Sequence, residues 1–252
     1  MYVAVGDEYV KEAENSAKSL IKVDPNASIC LISNQPYLGV VFTNSLEVSF
    51  PVDPENAKLG YLFKIIGMLE TPFERTIFVD TDTYFCDNCE ELFGILEFFD
   101  LLICHDFQET SFAQIDGVDL AGYHTYNTGV IAFNSSPQVI QLIKNWRDVF
   151  QRKMDSYWSD QPAFMDALLS NFVKVYVMQT HYNFRFRQFL TISDGNIKIL
   201  HGRYPNMIEL EKTLNKVEGY RAWDPKAWKL RNWSRKSWFE KLKEIVSIIR
   251  LS

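Results

Sequence analysis

Short, nearly unbroken apolar runs recur along the chain at residues 2–5, 28–32, 46–50, 77–79, 101–104, 130–133, 173–177 and 197–200. Between many of them, apolar positions return with the period of a helix, over residues 8–22, 58–70, 137–153 and 161–169. Strands that do not alternate polar and apolar positions are covered on both faces. The pattern therefore predicts an α/β protein with a mainly parallel central sheet flanked by helices. After about Tyr204 the strand pattern stops, and two helical segments joined by a Trp-rich connection are predicted. No internal repeat, low-complexity tract or Gly/Ser linker interrupts the chain, which divides into a body, residues 1–205, and a helical, basic, Trp-rich extension, residues 206–252.

One apolar run ends abruptly in charge: Ile77-Phe78-Val79 is followed by Asp80-Thr81-Asp82-Thr83. On an extended segment the alternation of side chains puts Asp80 and Asp82 on one face, within reach of a single cation. The C-terminal ends of strands are where open α/β sheets bind ligands. Two neighbouring carboxylates repel each other unless something positive lies between them, so the pair points to a divalent metal. The plainer reading is an exposed acidic turn after a strand.

Composition narrows the field. The chain has 252 residues, 47% hydrophobic and 15% aromatic, enough for a substantial core. No apolar run reaches the length of a membrane span, and residues 1–7 contain neither a basic leader nor a long apolar stretch, which predicts a cytoplasmic protein. The four cysteines, at 30, 86, 89 and 104, include one C-x-x-C but no second pair for zinc, and read as reduced thiols. The net charge of −6 is uneven: residues 221–252 carry nine Lys/Arg against three acids, leaving the rest at −12. An acidic body argues against nucleic acid as a partner. Gly6-Asp7-Glu8 follows the first run and opens the first helix without G-x-G-x-x-G, and no P-loop occurs, so no standard nucleotide fingerprint is present.

Four further segments extend the acidic pair. Residues 126–134, YNTGVIAFN, join a polar turn and a Gly to an apolar strand; Ser159-Asp160-Gln161-Pro162 opens a helix; His201-Gly202-Arg203 ends another strand; and Lys58 and Lys64 lie on a helix upstream of the pair. In this order, and with Glu91-Leu92-Phe93 after the pair, they resemble the GT-A-fold nucleotide-sugar glycosyltransferases, above all the glycogenin-like family 8 and its relatives. The resemblance covers roughly residues 1–205.

The resemblance implies roles. Asp80 and Asp82 would hold Mn²⁺ or Mg²⁺ together with His201, an oxygen-rich set with one imidazole. Asp80 would also lie near the ribose, with Gly6 at the nucleotide. Asn127 and Thr128 would line the donor-sugar pocket, and Asp160 and Gln161 would lie near the anomeric carbon. Asp160 also fits a helix N-cap. Where family 8 often follows His-Gly with a Lys that contacts the diphosphate, this chain has Arg203, with Gly202 before it. Lys58 or Lys64 would be a phosphate-side cation, Lys64 being preferred. The implied partners are a nucleoside-diphosphate sugar and a glycan, lipid-linked or protein acceptor. A retaining reaction needs no strong base, whereas an inverting one needs a carboxylate such as Asp106 or Asp160.

Two other readings compete. The acidic pair, taken over residues 80–84, also resembles the D-x-D-x-T of haloacid-dehalogenase-like phosphatases, in which the first Asp is a phosphoryl nucleophile. Some 75 residues of α/β pattern precede it here, however, and no G-D-x-x-x-D follows. A non-catalytic sugar-nucleotide or glycan-binding module is the other, against which the intact metal pair weighs. In the extension, Trp223, Trp228, Trp233 and Trp238 fall every five residues, and Trp238, Leu242, Ile245 and Ile249 form an apolar helical face among Lys and Arg. That face either packs on the body or holds the protein peripherally on an anionic membrane surface, which would suit a lipid-linked acceptor.

Overall fold

The computed structural model describes residues 1–50, 56, 58–110, 114–115, 118–119, 124–187, 191–193, 195–216, 221–224 and 229–232. The described strands, in chain order, are β1 (Tyr2–Ala4), β2 (Cys30–Ser33), β3 (Asn44–Glu47), β4 (Arg75–Val79), β5 (Thr83–Phe85), β6 (Leu101–Thr110), β7 (Gln114–Ile115), β8 (Val118–Asp119), β9 (His124–Asn134), β10 (Val175–Met178), β11 (Thr191–Ser193), β12 (Ile199–His201), β13 (Arg221–Asp224) and β14 (Lys229–Asn232). The helices are α1 (Asp7–Val23), α2 (Leu59–Met68), α3 (Glu91–Ile95), α4 (Pro137–Lys153), α5 (Gln161–Leu169) and α6 (Met207–Asn215).

β1, β2 and β3 pair in parallel, as do β10 and β6, while β9 runs antiparallel between β6 and β4. The backbone of Met1 joins the two groups: its nitrogen donates to the Ile77 carbonyl (2.7 Å) and its carbonyl accepts from the Val79 N–H (3.1 Å). The order is thus β3-β2-β1-β4-β9-β6-β10, and of these seven strands β9 alone runs against the rest, as the continuous apolar runs require. Helices cover both faces. On one, α2, α4 and α5 pack Leu62, Ile65, Leu142, Trp146, Phe150 and Phe164 over Phe78, Ile103 and Phe133; on the other, Ala13 and Ala17 of α1 and Leu92 of α3 lie against Tyr2, Val79, Leu102 and Val130.

Sequence pattern and structure agree most closely at α4. Ser136 caps it by accepting from the Val139 N–H, Pro137 occupies the first turn, and Val139, Leu142, Ile143, Trp146 and Phe150 form one buried stripe. Four differences stand out. The run at 46–50 yields β3 two residues earlier, and the strand expected at 173–177 begins at Val175. Asp80 and Asp82 do not extend β4; they lie in a turn between β4 and β5, which Thr83 Oγ1 closes by donating to the Asp80 carbonyl (2.8 Å). After Tyr204, where no strand is expected, β13 pairs antiparallel with β14 on one side and with β11 on the other.

The reason for that last strand is visible in a third core. Phe184, Phe186, Ile197 and Leu200 pack with Leu210 and Leu214 of α6 and with Trp223 of β13, whose Nε1 donates to the Phe186 carbonyl (2.6 Å). Trp223 is therefore a core residue, and the middle strand of the β11-β13-β14 sheet delivers it. The amphipathic face from Trp238 to Ile249, with Trp228 and Trp233, lies outside the described residues. Among the described residues no helix is long and apolar enough to cross a membrane.

Trp146 links this framework to the site, since its Nε1 donates to the Asp160 carbonyl (3.0 Å) from within the α4–α5 core. Trp146→Ala is expected to lower unfolding free energy by about 3–5 kcal/mol, the usual loss for a truncated buried aromatic. Urea denaturation followed by circular dichroism measures it.

Candidate metal centre and cleft

The polar residues singled out in the sequence converge on one cleft of about 830 Å³ at the C-terminal ends of β1 and β4. Asp80 and Asp82 come from one turn and His201 from the distant β12, yet each directs a ligand atom into a group whose members lie within 4.8 Å of one another. Two pairings bring the histidine there. β12 lies antiparallel to β5 with His201 opposite Thr83, and the Gly202 N–H donates to the Asp82 carbonyl (2.9 Å). Gly202 adopts φ +127°, and a Cβ there would meet the Phe186 ring at 3.2 Å, so glycine is needed at the turn. His201 Nε2 faces Asp82 Oδ1 at 3.4 Å and Asp80 Oδ2 at 3.7 Å.

The Asn-Thr-Gly segment reaches the centre through a break in β9. The β6–β9 register runs Ile103 opposite Ile131 and then Cys104 opposite Asn127, so residues 128–130 form a bulge on the β6 side while Val130 stays paired with Val79 of β4. Bulges of this kind re-aim side chains. Here Asn127 and Thr128 are turned into the cleft, and the Gly129 carbonyl accepts from the Asp80 N–H (2.8 Å). A Cβ on Gly129 would lie 2.1 Å from His201 Cε1 and 2.8 Å from Asp80 Oδ2. The backbone itself is the wall of the metal centre.

Beside it lies a second charged group. The Lys64 ammonium, buried on α2, is 3.0 Å from Asp160 Oδ2, 3.4 Å from Asp80 Oδ1 and donates to Thr128 Oγ1 (3.0 Å), while Thr128 Oγ1 donates to Asp160 Oδ2 (2.9 Å). The Asp160 side chain caps no helix N–H, so the N-cap expectation fails. At that helix start Ser159 Oγ accepts from the Gln161 N–H instead (3.3 Å), which frees the Asp160 carboxylate for the cleft. Gln161 Oε1 accepts from Asn127 Nδ2 (3.1 Å), as does Asp106 Oδ2 (3.1 Å).

Burial alone would depress the Lys64 ammonium, but Asp160 and Asp80 more than offset it and raise its pKa. Burial also dominates at Asp80: helped by the Asp82 and Asp160 carboxylates, it holds the Asp80 carboxyl above its ordinary range despite Lys64 and His201. At Asp82 burial is outweighed by His201 and by the Arg203 and Arg185 guanidiniums, which hold its carboxyl well below that range. Asp80 is thus short of positive charge with Lys64 already in place. Two carboxylates and an imidazole nitrogen aimed at one point are a fitting donor set for a hard divalent cation.

The remaining residues divide. Arg203 grips Glu12, with Nε 2.6 Å from Oε1 and Nη2 3.0 Å from Oε2, and its Nη1 stands 3.9 Å from Asp82 Oδ2. Lys58 lines the cleft, but its ammonium donates to the carbonyls of Met154 (2.7 Å) and Asp155 (3.2 Å), tying α2 to the end of α4. Gly6, at φ +85°, donates its N–H to Asn34 Oδ1 (3.0 Å), and Ala4, Val5 and Tyr9 form the cleft wall beside it. Cys30, Cys86, Cys89 and Cys104 form no disulfide. The D-x-D-x-T reading fails at its last position, where Tyr84 stands in place of Thr.

Three lining residues carry no sequence signal by spacing, Tyr9 and Trp158, both about half exposed, and Arg185, and neither does Asn183, which is buried behind His201. A lone Asn in a loop between strands has no periodicity to betray it. Asn183 stands three residues after the start of the 3₁₀ turn Thr180–Tyr182, and that placement becomes meaningful only in three dimensions.

Residues 74–207 match the family described as nucleotide-diphospho-sugar transferase, which is more than half of the chain. Among solved structures the chain is similar to the galactosyltransferase LgtC, crystallised with donor and acceptor sugar analogues, at 16% identity and a TM-score of 0.52 over 86% of this chain and 96% of that one. It is also similar to the glycosyltransferase GlyE of Streptococcus pneumoniae TIGR4, at 15% identity and 0.52, over 98% of this chain and 63% of that one. At these identities the likeness is one of fold. No curated protein matches the sequence significantly.

Gly129→Ala tests the wall directly. The added methyl must displace His201 or Asp80, so Mn²⁺ is expected to raise the melting temperature of the wild type but not of this variant, whose melting temperature in chelator falls by only a few degrees. A differential scanning fluorimetry titration reads both.

Proposed function

The chain belongs to the nucleotide-diphospho-sugar transferase family, and on that premise we propose that it is a metal-dependent glycosyltransferase that moves a sugar from a nucleoside-diphosphate sugar to a hydroxyl acceptor with retention of configuration. The observation that carries this reading is the meeting of Asp80, Asp82 and His201 beside the Lys64–Thr128–Asp160 group in one cleft. Mn²⁺ or Mg²⁺ held by the first three would act as a Lewis acid on the diphosphate leaving group. Asp80, Asp82 and His201 orient that charge; Arg203, released from Glu12, supplies a bidentate guanidinium to the phosphates. Tyr9 and Trp158 offer flat aromatic faces suited to a base and a sugar ring.

Retention is supported by the state of the two carboxylates that inversion would recruit as base. Asp160 is held by Lys64 and Thr128, and Asp106 is buried and accepts from Asn127. A carboxylate so engaged is held in place to stabilise positive charge developing at the anomeric carbon. The geometry likewise favours Lys64 as the counter-charge that keeps Asp160 and Asp80 together; its burial leaves the phosphates to Arg203.

The acceptor is proposed to be a glycan, lipid-linked or otherwise, and the basic extension to bring the enzyme to an anionic membrane surface. Co-sedimentation of the full chain with vesicles tests the second point: binding to anionic but not neutral lipid, reversed by salt, is expected, and its absence from both would leave the extension as packing.

The activity test is turnover of a panel of nucleoside-diphosphate sugars with Mn²⁺, compared with a phosphomonoester. Donor hydrolysis or transfer is expected, and no phosphomonoester turnover; the reverse would sink the reading, and inertness towards both would favour a binding module. Asp160→Asn is expected to lower kcat by about 100–1,000-fold, as for loss of one electrostatic contact in the transition state, with nucleoside-diphosphate affinity changed less than about threefold. Isothermal titration beside the rate assay separates the two.

A further inference from the structure

We infer that Asn183 is a positioning residue that keeps the His201 proton on Nδ1, so that Nε2 is the nitrogen presented to the metal, and that a backbone amide at Gly129 sets this orientation. The inference deepens the metal reading above and rests on it.

The argument runs through groups whose direction cannot be exchanged. The Gly129 N–H only donates, and it reaches Asn127 Oδ1 at 3.1 Å. That identifies the oxygen end of the Asn127 amide, and the opposite end agrees, because Asn127 Nδ2 faces two acceptors, Asp106 Oδ2 and Gln161 Oε1, each at 3.1 Å. Asn127 Oδ1 also receives Asn183 Nδ2 at 2.8 Å. Were the Asn183 amide reversed, two carbonyl oxygens would meet at that distance. Asn183 Oδ1 must therefore be the atom 2.7 Å from His201 Nδ1, and an acceptor there requires Nδ1 to carry its hydrogen.

The remaining nitrogen, Nε2, is the one turned towards Asp82 and Asp80. Asp106, Asn127, Asn183 and His201 are all buried, so a mistaken orientation would leave buried polar atoms facing like atoms. One unsatisfied buried group typically costs about 1–3 kcal/mol, enough to hold the chain of bonds in one sense. Histidines that ligate metals depend on such a partner for ring orientation and tautomer, and its loss typically weakens metal binding by about 10–100-fold.

The experiment uses the full chain and Mn²⁺ alone, without nucleotide. In the metal-free wild type labelled with ¹⁵N-histidine, long-range ¹⁵N–¹H correlation is expected to show the His201 Nδ1 protonated; a neutral ring with its proton on Nε2 would overturn the inference, and this measurement needs no variant. Calorimetric Mn²⁺ titration then compares Asn183→Leu, which removes the acceptor, with Asn183→Asp, which keeps an acceptor towards Nδ1 but loses the donor towards Asn127. Asn183→Leu should weaken Mn²⁺ binding about 10–100-fold, and Asn183→Asp less than about threefold even though its melting temperature falls. If affinity instead tracked stability in both variants, or Asn183→Leu bound Mn²⁺ like the wild type, the positioning role would be wrong while the metal site stood. Failure of the wild type itself to bind Mn²⁺, with Nδ1 protonated, would overturn the metal reading and with it the purpose assigned to Asn183.

Discussion

The cleft depends on a single close approach, in which the backbone of Gly129 runs against Asp80 and His201 at a distance that leaves no room for one methyl group. Protein interiors are packed densely enough that such a contact cannot be relaxed locally. Around it the other parts take their places: the bulge in β9 turns Asn127 and Thr128 inward, the Gly129 carbonyl holds the Asp80 amide, and the Gly129 amide orients Asn127. One residue without a side chain thereby serves two polar groups through its peptide bonds and yields space to two metal-facing side chains.

Charge is the second constraint. Buried carboxylates repel one another, and the chain answers with one buried lysine where two full counter-charges would be needed. Lys64 holds Asp160 and touches Asp80, but Asp80 still resists ionisation while Asp82, flanked by His201 and two arginines, does not. A site left short of positive charge is less stable than a neutral one and more ready to take a cation. Opposite shifts in two adjacent acids are a common mark of a functional site.

Much of this was legible in the residues. Continuous apolar runs showed which strands are covered on both faces, and the stripe from Val139 to Phe150 gave α4 to the residue. Asp80 and Asp82 declared themselves by standing where an apolar run stops. Pattern misjudged how they converge, because a turn closed by Thr83 and an extended strand look alike over three residues. It also treated Asp160 as a possible cap, since a Ser one position earlier can do that work unseen. Asn183 was invisible for a deeper reason: its role exists only through partners at 127 and 201, and no local rule relates positions so far apart. The strand carrying Trp223 was missed because its burial depends on a core assembled from four separate segments.

That third core has a consequence for the order of events when the chain is made. The acidic pair leaves the ribosome about 120 residues before His201. His201 is then held in place by β12, whose neighbours in the core include Trp223 from still later in the chain. Until then the two carboxylates lack the imidazole that completes the set. The candidate site is therefore closed by segments made long after its first two carboxylates, and its geometry is only as firm as the packing of Trp223 with Leu200 in that core.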